Sequence, residues 1–161
     1  MSGANDLVVR PAKPADLGRM RAMWSEAAIQ LVKLDPRQRL APDAEQVWEK
    51  AAEAWLQRSE VAVFVAVIDQ NPIAYIVGQI EAARPGFVPE RIGVVSELAV
   101  DFHAKRGGLG RILLDTLQKW FKAQGVTSLE ARVPLAHPVA QAFWRAVGAG
   151  KISEQMWLRL D

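Results

Sequence analysis

The segment KRGGLGR, residues 105–111, places three glycines among three basic residues and runs directly into a series of leucines. Glycine at the start of a helix costs backbone entropy, so this segment needs a property that only a bare backbone has. Free N–H groups at a helix start, with the positive end of the helix dipole, suit a pyrophosphate. The segment therefore predicts a phosphate site. On spacing alone, a loop whose glycines only satisfy turn geometry and whose basic side chains are solvated is an equal alternative.

Two common phosphate-binding motifs do not fit this segment. A P-loop requires Lys followed by Ser or Thr after its last glycine, but Arg111 and Ile112 stand there. The dinucleotide fingerprint requires a small residue where the large Leu113 lies, and the first strand of the chain lacks that motif. A diphosphate bound here must be held by a different arrangement.

Hydrophobic spacing predicts the surrounding elements in the order β-α-α-β-β-β-α-β-α-β. Strands are predicted at residues 6–12, 61–68, 73–83, 93–100, 128–133 and 152–160. Helices are predicted around the apolar stripes at residues 17–31, 47–55, 113–121 and 140–147, with Gly125 and Gly148 as stops. The glycine-rich turn thus follows a strand and begins a helix, which is the usual setting of a backbone anion site.

Composition limits the class of protein. The chain has 161 residues, of which 50% are hydrophobic and 24% charged, and this predicts a single globular domain over residues 1–161. A net charge of +2 gives no reason to expect a nucleic-acid partner. The lack of cysteine excludes disulfides and thiolate metal sites, and it fits a reducing compartment. No secretory signal or membrane-spanning run is visible, so we expect a cytoplasmic protein without a membrane partner.

Two stretches together resemble the GCN5-related N-acetyltransferase (GNAT) family. SELAVDFHAKRGGLGRILLDTL is similar to its acetyl-coenzyme A motif, a strand ending in L-x-V followed by Q/R-x-x-G-x-G/A. Lys105 falls at the Gln/Arg position, and Gly108 and Gly110 fall at the two glycines. Downstream, HPVAQAFWRAVGA is similar to the second motif, N-x-x-A-x-x-F-Y-x-x-x-G-F. The element order agrees as well, so the resemblance covers nearly the whole chain.

The resemblance implies an α/β fold (α+β, three-layer) with a mixed central sheet flanked by helices. Its fourth strand would carry a bulge and splay from the fifth, which leaves backbone groups for the pantetheine arm of acetyl-coenzyme A. Main-chain atoms of Leu98, Ala99 and Val100 would then hold the arm and the acetyl group. The pyrophosphate would lie against the basic side chain of Lys105 and the N–H groups of Arg106, Gly107, Gly108, Leu109, Gly110 and Arg111.

The resemblance also implies which residues take part in the reaction. Glu97 is the candidate general base, because acidic residues on this strand serve that role in several relatives. A carboxylate that is solvated or paired with an arginine is the alternative for Glu97. His137 replaces the Asn of the second motif, as a cofactor contact or as a helix cap, and it has no second His or carboxylate at metal-ligand spacing. Trp144 replaces the Tyr that protonates the thiolate, and indole cannot act as a general acid. Tyr75, the only tyrosine, lies on the hairpin and need not be near.

We therefore predict an N-acetyltransferase that transfers the acetyl group of acetyl-coenzyme A to a primary amine by direct attack in a ternary complex. A small-molecule or peptide amine is the expected partner, and a homodimer is compatible with the family. A non-catalytic acyl-coenzyme A-binding sensor on the same fold is the alternative, and the missing tyrosine favours it. The tryptophans Trp24, Trp48 and Trp55 have core-like spacing on the first two helices, where the family has its acceptor entrance.

Overall fold

The computed structural model describes residues 6–104 and 106–161, which form a mixed five-stranded sheet between helices. In chain order the strands are β1 (Val8–Pro11), β2 (Val61–Ile68), β3 (Asn71–Ala82), β4 (Arg91–Val100) and β5 (Leu129–Ala131). The helices are α1 (Leu17–Leu34), α2 (Ala44–Trp55), α3 (Leu109–Ala123) and α4 (Pro138–Ala146). The strands lie side by side in this order; β1 to β4 are antiparallel and β5 runs parallel to β4. None of the helices in the described ranges is long and apolar enough to cross a membrane.

The sequence of β2, VAVFVAVI, is apolar throughout because both faces of this strand are covered. Val61, Val63, Val65 and Val67 pack on the side of α1 and α2, while Ala62 and Ala66 pack on the side of α3. A strand covered on both faces needs apolar residues at every position, which removes the usual alternation. The predicted strand at 61–68 is confirmed with these bounds.

Helix α3 lies unusually close to the sheet. A Cβ atom built on Gly78 would lie 2.6 Å from Leu117, and one built on Gly93 would lie 2.8 Å from the ring of Phe121. Both strands therefore use glycine where α3 crosses them. The buried face of the helix, with Leu113, Leu117 and Phe121, matches the predicted stripe, and Gly125 ends the helix with φ +76°.

Strand β4 contains a bulge and then leaves β5. Glu97 lies opposite Val77 and Val95 lies opposite Gly78, so Ser96 is the extra residue. Only the segment Gly93–Val95 pairs with β5, and the following residues of β4 pair with β3 alone. The predicted mixed sheet with a splayed β4/β5 pair flanked by helices is confirmed.

Two strand predictions need correction. The fifth strand covers Leu129–Ala131 rather than 128–133, because β4 diverges from it after Val95. The strand predicted at 152–160 is wrong: residues 149–161 have no regular structure, and every side chain from 151 to 161 is exposed. A strand needs a partner for its backbone groups, and in this structure the segment has none within the described residues.

Candidate functional site

The bulge in β4 turns Glu97 towards the side of α1 and α2. Val95 packs among residues of the α3 side, and in a regular strand residue 97 would share that face. The extra residue Ser96 reverses the alternation, so Glu97 lies with Val77, Tyr75 and Trp48 instead. The irregularity of the strand thereby aims a carboxylate at the cavity described below.

Glu97 is held by two hydrogen-bond donors from other elements. The Tyr75 hydroxyl donates to Oε2 at 2.7 Å, and the Trp48 indole N–H lies 3.0 Å from Oε1 and 3.1 Å from Oε2. Burial raises the pKa of Glu97, and the hydrogen bonds from Tyr75 and Trp48 offset part of that rise. The pKa of Tyr75 lies well above its usual value because of burial and the adjacent carboxylate, so its hydroxyl keeps its proton. The arrangement makes Glu97 a more basic carboxylate in a fixed orientation.

Aromatic rings fix the Trp48 indole that donates to Glu97. Trp24 stacks on it with ring centroids 5.8 Å apart, and Trp55 meets it edge-on at the same distance. Tyr75 lies 6.1 Å away on the third side. Trp48 is buried, whereas Trp24 is only partly buried and reaches the cavity. The predicted tryptophan set is thus a support for the carboxylate.

A cavity of about 410 Å³ lies between α1 and the splayed strands. Its wall includes Tyr75, Glu97, Leu98 and Ala99 on the sheet. The opposite walls are formed by one face of α1 and the loop after it, and by residues of β5, of α4 and of the loop between them, which include Ala131, Arg132, Val133, Pro134, His137 and Trp144. The cavity therefore joins the candidate base to the gap where β4 leaves β5.

The gap exposes main-chain groups of β4. The Asp101 N–H donates to the Ile73 carbonyl at 2.8 Å, which continues the β3–β4 register. Because hydrogen-bonding directions alternate along an antiparallel strand, Ala99 directs its backbone groups to β3 as Asp101 does. Leu98 and Val100 then direct theirs to the opposite side, where β5 has diverged, so of the three predicted main-chain contacts those of Leu98 and Val100 face the gap and that of Ala99 does not.

The start of α3 presents N–H groups that the helix itself does not use. The first helical hydrogen bond runs from Ile112 N–H to the Gly108 carbonyl at 3.1 Å, so the N–H groups of Leu109, Gly110 and Arg111 precede it. Gly108 has φ +78°, a left-handed conformation that favours glycine, and nothing lies within 4 Å of an added Cβ on Gly107 or Gly108. This open, bare backbone fits a phosphate group.

Gly110 has an additional reason to be glycine. A Cβ atom there would lie 3.0 Å from the ring of Phe143, so the residue lets α3 approach α4. The side chains of Arg106 and Arg111 are exposed, and Arg111 lies 3.8 Å from Asp115 in a surface ion pair. Lys105, predicted to contact the cofactor, lies outside the described residues.

His137 and Trp144 both lie on the cavity wall. His137 is the N-cap of α4, where its Nδ1 accepts a hydrogen bond from the Ala140 N–H at 3.1 Å. Trp144 meets Phe143 edge-on with ring centroids 5.4 Å apart. Within residues 6–104 and 106–161, no three His, Asp or Glu side chains form a group that could hold a metal ion.

Two residues of this site, Tyr75 and Trp48, are not predicted by the sequence patterns. Tyr75 was expected to have no necessary connection with the site, but its hydroxyl contacts Glu97. Trp48 was assigned to the core or to the acceptor entrance, with no contact to Glu97. The position of Tyr75 could have been predicted from the pairing of β3 with β4. Val77 lies opposite Glu97, and Tyr75 is two residues before Val77, so its side chain lies on the same face of the sheet as Glu97. Trp48 approaches from a distant helix, and no local pattern indicates that contact.

The fold and this site define a class of protein. The acetyltransferase (GNAT) family matches residues 24–149, so the chain belongs to that family. A segment of 92 residues is 37% identical to the probable N-acetyltransferase 14 of Danio rerio and covers 57% of this chain, but it spans only 31% of that protein.

Several solved structures share the fold at low sequence identity. A tetramutant of the BH1408 protein from Bacillus halodurans has a TM-score of 0.84 at 21% identity, over 95% of this chain and 99% of that one. The aminoglycoside N-acetyltransferase AAC(6')-Iy, in complex with CoA, has a TM-score of 0.76 at 17% identity, over 99% and 98%. A ribosomal-protein-alanine N-acetyltransferase from Brucella melitensis has a TM-score of 0.71 at 16% identity, over 96% and 99%.

Proposed function

We propose that this protein is an N-acetyltransferase that transfers the acetyl group of acetyl-coenzyme A to a primary amine by direct attack in a ternary complex. The observation that carries the proposal is the position of Glu97, a half-buried carboxylate held by two donors on the wall of a cavity that also reaches the open edge of β4. Family membership supports the reaction class. We further propose that residues 1–161 act as one cytoplasmic domain.

The residues of this chain fit the parts of acetyl-coenzyme A. The N–H groups at the start of α3 would bind the diphosphate, since the backbone at Gly107 and Gly108 is open to a ligand. The main-chain groups of Leu98 and Val100 would bind the pantetheine arm as an added strand does. His137 and Trp144 would line the arm from α4. When bound, the cofactor supplies an acetyl group activated as a thioester.

Glu97 would receive the proton that the acceptor amine loses. In the transfer, the amine nitrogen bonds to the acetyl carbon, the carbon–sulfur bond breaks, and the sulfur leaves as a thiolate. The amine proton passes to Glu97, directly or through a water molecule, because the raised pKa of Glu97 makes it a stronger base than an ordinary carboxylate. An N–H on the open edge of β4 would stabilise the negative charge on the carbonyl oxygen.

The proton for the thiolate needs a separate source. Trp144 stands where relatives carry tyrosine, and indole does not release a proton near neutral pH. Tyr75 donates a hydrogen bond to Glu97 and its pKa is raised, so it is a poor acid. We infer that water or the product's own released proton serves the thiolate. The same observation favours the second candidate, a sensor that binds acyl-coenzyme A without turnover.

Two measurements test the proposal. Thermal unfolding with acetyl-coenzyme A should show stabilisation of about 2.7 kcal/mol at a hundredfold excess over Kd. Release of coenzyme A thiol across a panel of primary amines should follow in the wild type and fall steeply in Glu97→Gln. Binding without thiol release from any amine would favour the sensor, and no stabilisation at all would contradict both candidates.

A further inference from the structure

The acceptor side of the cavity is formed by one face of α1. Trp24, Ala28 and Leu31 are spaced by three or four residues, and they line the cavity together with Val32 and the loop residue Leu40. Trp24, Ala28 and Leu31 belong to the apolar stripe predicted for this helix, but within that stripe only Leu17 and Met20 at its beginning are buried. The later half of the stripe is an apolar wall opposite β4.

Charge around the whole cavity is sparse and mostly positive. Among the described residues that line the cavity, Glu97 is the only carboxylate, and the cations are Arg39 and Arg132. The nearby carboxylate of Asp35 is held by the Arg37 guanidinium at 2.8 and 2.9 Å. A ligand with several ammonium groups would lose water against apolar side chains and two arginines without compensating carboxylates.

We propose that the acceptor is a primary monoamine with an apolar body, such as an arylalkylamine, rather than a polycationic aminosugar. This inference rests on the proposed function. The single amine would approach Glu97, and the apolar body would pack on Trp24 and Leu31. The cavity of about 410 Å³, which the thioester arm must share, suits a small body.

The test compares phenethylamine with kanamycin in the thiol-release assay. We expect kcat/KM for phenethylamine to exceed that for kanamycin at least tenfold in the wild type. Leu31→Asp places a carboxylate on the wall and should reduce that ratio at least tenfold. Ile29→Asp, on the exposed face of the same helix and outside the cavity wall, is the matched control and should leave the ratio unchanged.

The outcomes separate this inference from the proposed function. A wild-type preference for kanamycin would overturn the acceptor class while the transferase activity stands. If the ratio of kcat/KM values for phenethylamine and kanamycin is unchanged in Leu31→Asp, the α1 wall does not determine the preference between the two amines. If acetyl-coenzyme A binds but neither amine gives thiol release, the proposed acceptor class is overturned. The wider amine panel then decides whether the transferase proposal also fails.

A second inference comes from the segment after α4. On one face of this extended segment Ile152, Met156, Leu158 and Leu160 are apolar yet 79%, 84%, 82% and 87% exposed, with Glu154 between the first two and Trp157 on the other face. Such alternation is typical of a strand with one covered face. The accessible surface of the chain is 11181 Å², whereas a folded monomer of this mass exposes about 8,000 Å². The apolar face of this segment contributes to the excess.

The sheet offers a matching partner for this segment. Strand β5 lies at the end of the strand order and pairs only with β4, so its outer edge has unpaired backbone groups within the described sheet. The adjoining helix α4 has no buried residue. The segment does not cover these surfaces of its own chain, since all its residues are exposed.

We propose that residues 152–160 of one copy pair as a strand with the β5 edge of a second copy, in a reciprocal two-fold exchange. Each copy supplies one strand and one edge, so a two-fold axis relates the two contacts and the reciprocal exchange closes at two copies.

Light scattering during size-exclusion chromatography at micromolar concentration tests the exchange. The wild type should have twice the chain mass of 17.8 kDa. The pair Leu158→Lys and Leu160→Lys should give a monomer, and its fold should be unchanged because both side chains are exposed. The pair Ser153→Lys and Gln155→Lys, on the other face, should remain dimeric. A monomeric wild type, or a dimer that survives the leucine substitutions, would overturn the exchange.

Discussion

Glu97 is a carboxylate whose two donors keep their protons throughout the neutral range. The Trp48 indole does not ionise, and burial together with the adjacent carboxylate raises the pKa of Tyr75. Any proton that enters or leaves this cluster near neutral pH therefore belongs to Glu97. Its function as a base can be separated from its structural role because both donors can be changed independently.

We predict that Glu97→Gln reduces kcat by about 100-fold or more, in the range that general bases contribute. The Kd for acetyl-coenzyme A should be unchanged, because no predicted cofactor contact is lost. In the wild type kcat/KM should fall in acid as Glu97 is protonated, and this limb should be absent in the variant. Glu49→Gln removes a partly exposed carboxylate that pairs with Arg21, and it serves as the control with normal kinetics.

Tyr75→Phe should shift the pH at which kcat/KM falls in acid, but it should not abolish that fall. The hydrogen bond from Tyr75 lowers the pKa of Glu97, so its loss should raise that pKa and shift the limb to higher pH. At alkaline pH the variant should approach wild-type turnover. A pH–rate profile measures the shift, and a limb that stays in place would show that Tyr75 does not set the basicity of Glu97.

Among the elements, α3 depends most on the absence of side chains beneath it. Gly93→Ala should destabilise the protein by about 1–3 kcal/mol, the usual cost of overpacking, because its Cβ would lie 2.8 Å from the buried Phe121 ring. Gly18→Ala, with nothing within 4 Å, is the matched control and should not destabilise. Urea unfolding measures both. Equal stability of the two variants would show that the sheet and α3 are not packed this closely.

The start of α3 can be tested without disturbing its packing. Gly107→Asp places a negative charge where the diphosphate is proposed to bind, and it should weaken acetyl-coenzyme A binding at least tenfold. Gly107→Ala meets no neighbouring atom, so it should bind nearly as the wild type does. Calorimetric titration gives both affinities. Unchanged binding to the Asp variant would place the diphosphate elsewhere.

Sequence reasoning predicted the elements that local patterns specify. Strand β2 and the buried face of α3 follow from apolar spacing, and the bulge in β4 followed from family resemblance rather than from the residues. The strand at 152–160 was wrong, because alternation shows only that a segment can pair and not whether a partner lies within reach. The contact of Trp48 with Glu97 was missed because it joins residues 49 positions apart, and a local pattern does not indicate which distant residue a side chain contacts.

For the whole molecule, the half-buried carboxylate of Glu97 links stability to pH. The pKa of Glu97 is higher in the folded state than its ordinary value, so its favourable contribution is present in acid and is lost as pH rises through the folded pKa. The free energy of unfolding of the wild type minus that of Glu97→Gln should therefore decrease as pH rises, by about 1.4 kcal/mol for each unit of raised pKa. Urea unfolding between acid and neutral pH measures this difference, and an increase with pH would contradict the raised pKa.

The central claim is that the start of α3 and the open edge of β4 together hold acetyl-coenzyme A beside Glu97. Amide hydrogen exchange, measured with and without acetyl-coenzyme A, tests this claim directly. The account predicts slower exchange on binding at residues 107–111 and at 98–100. Slowed exchange confined to other segments, or none despite saturating cofactor, would contradict it.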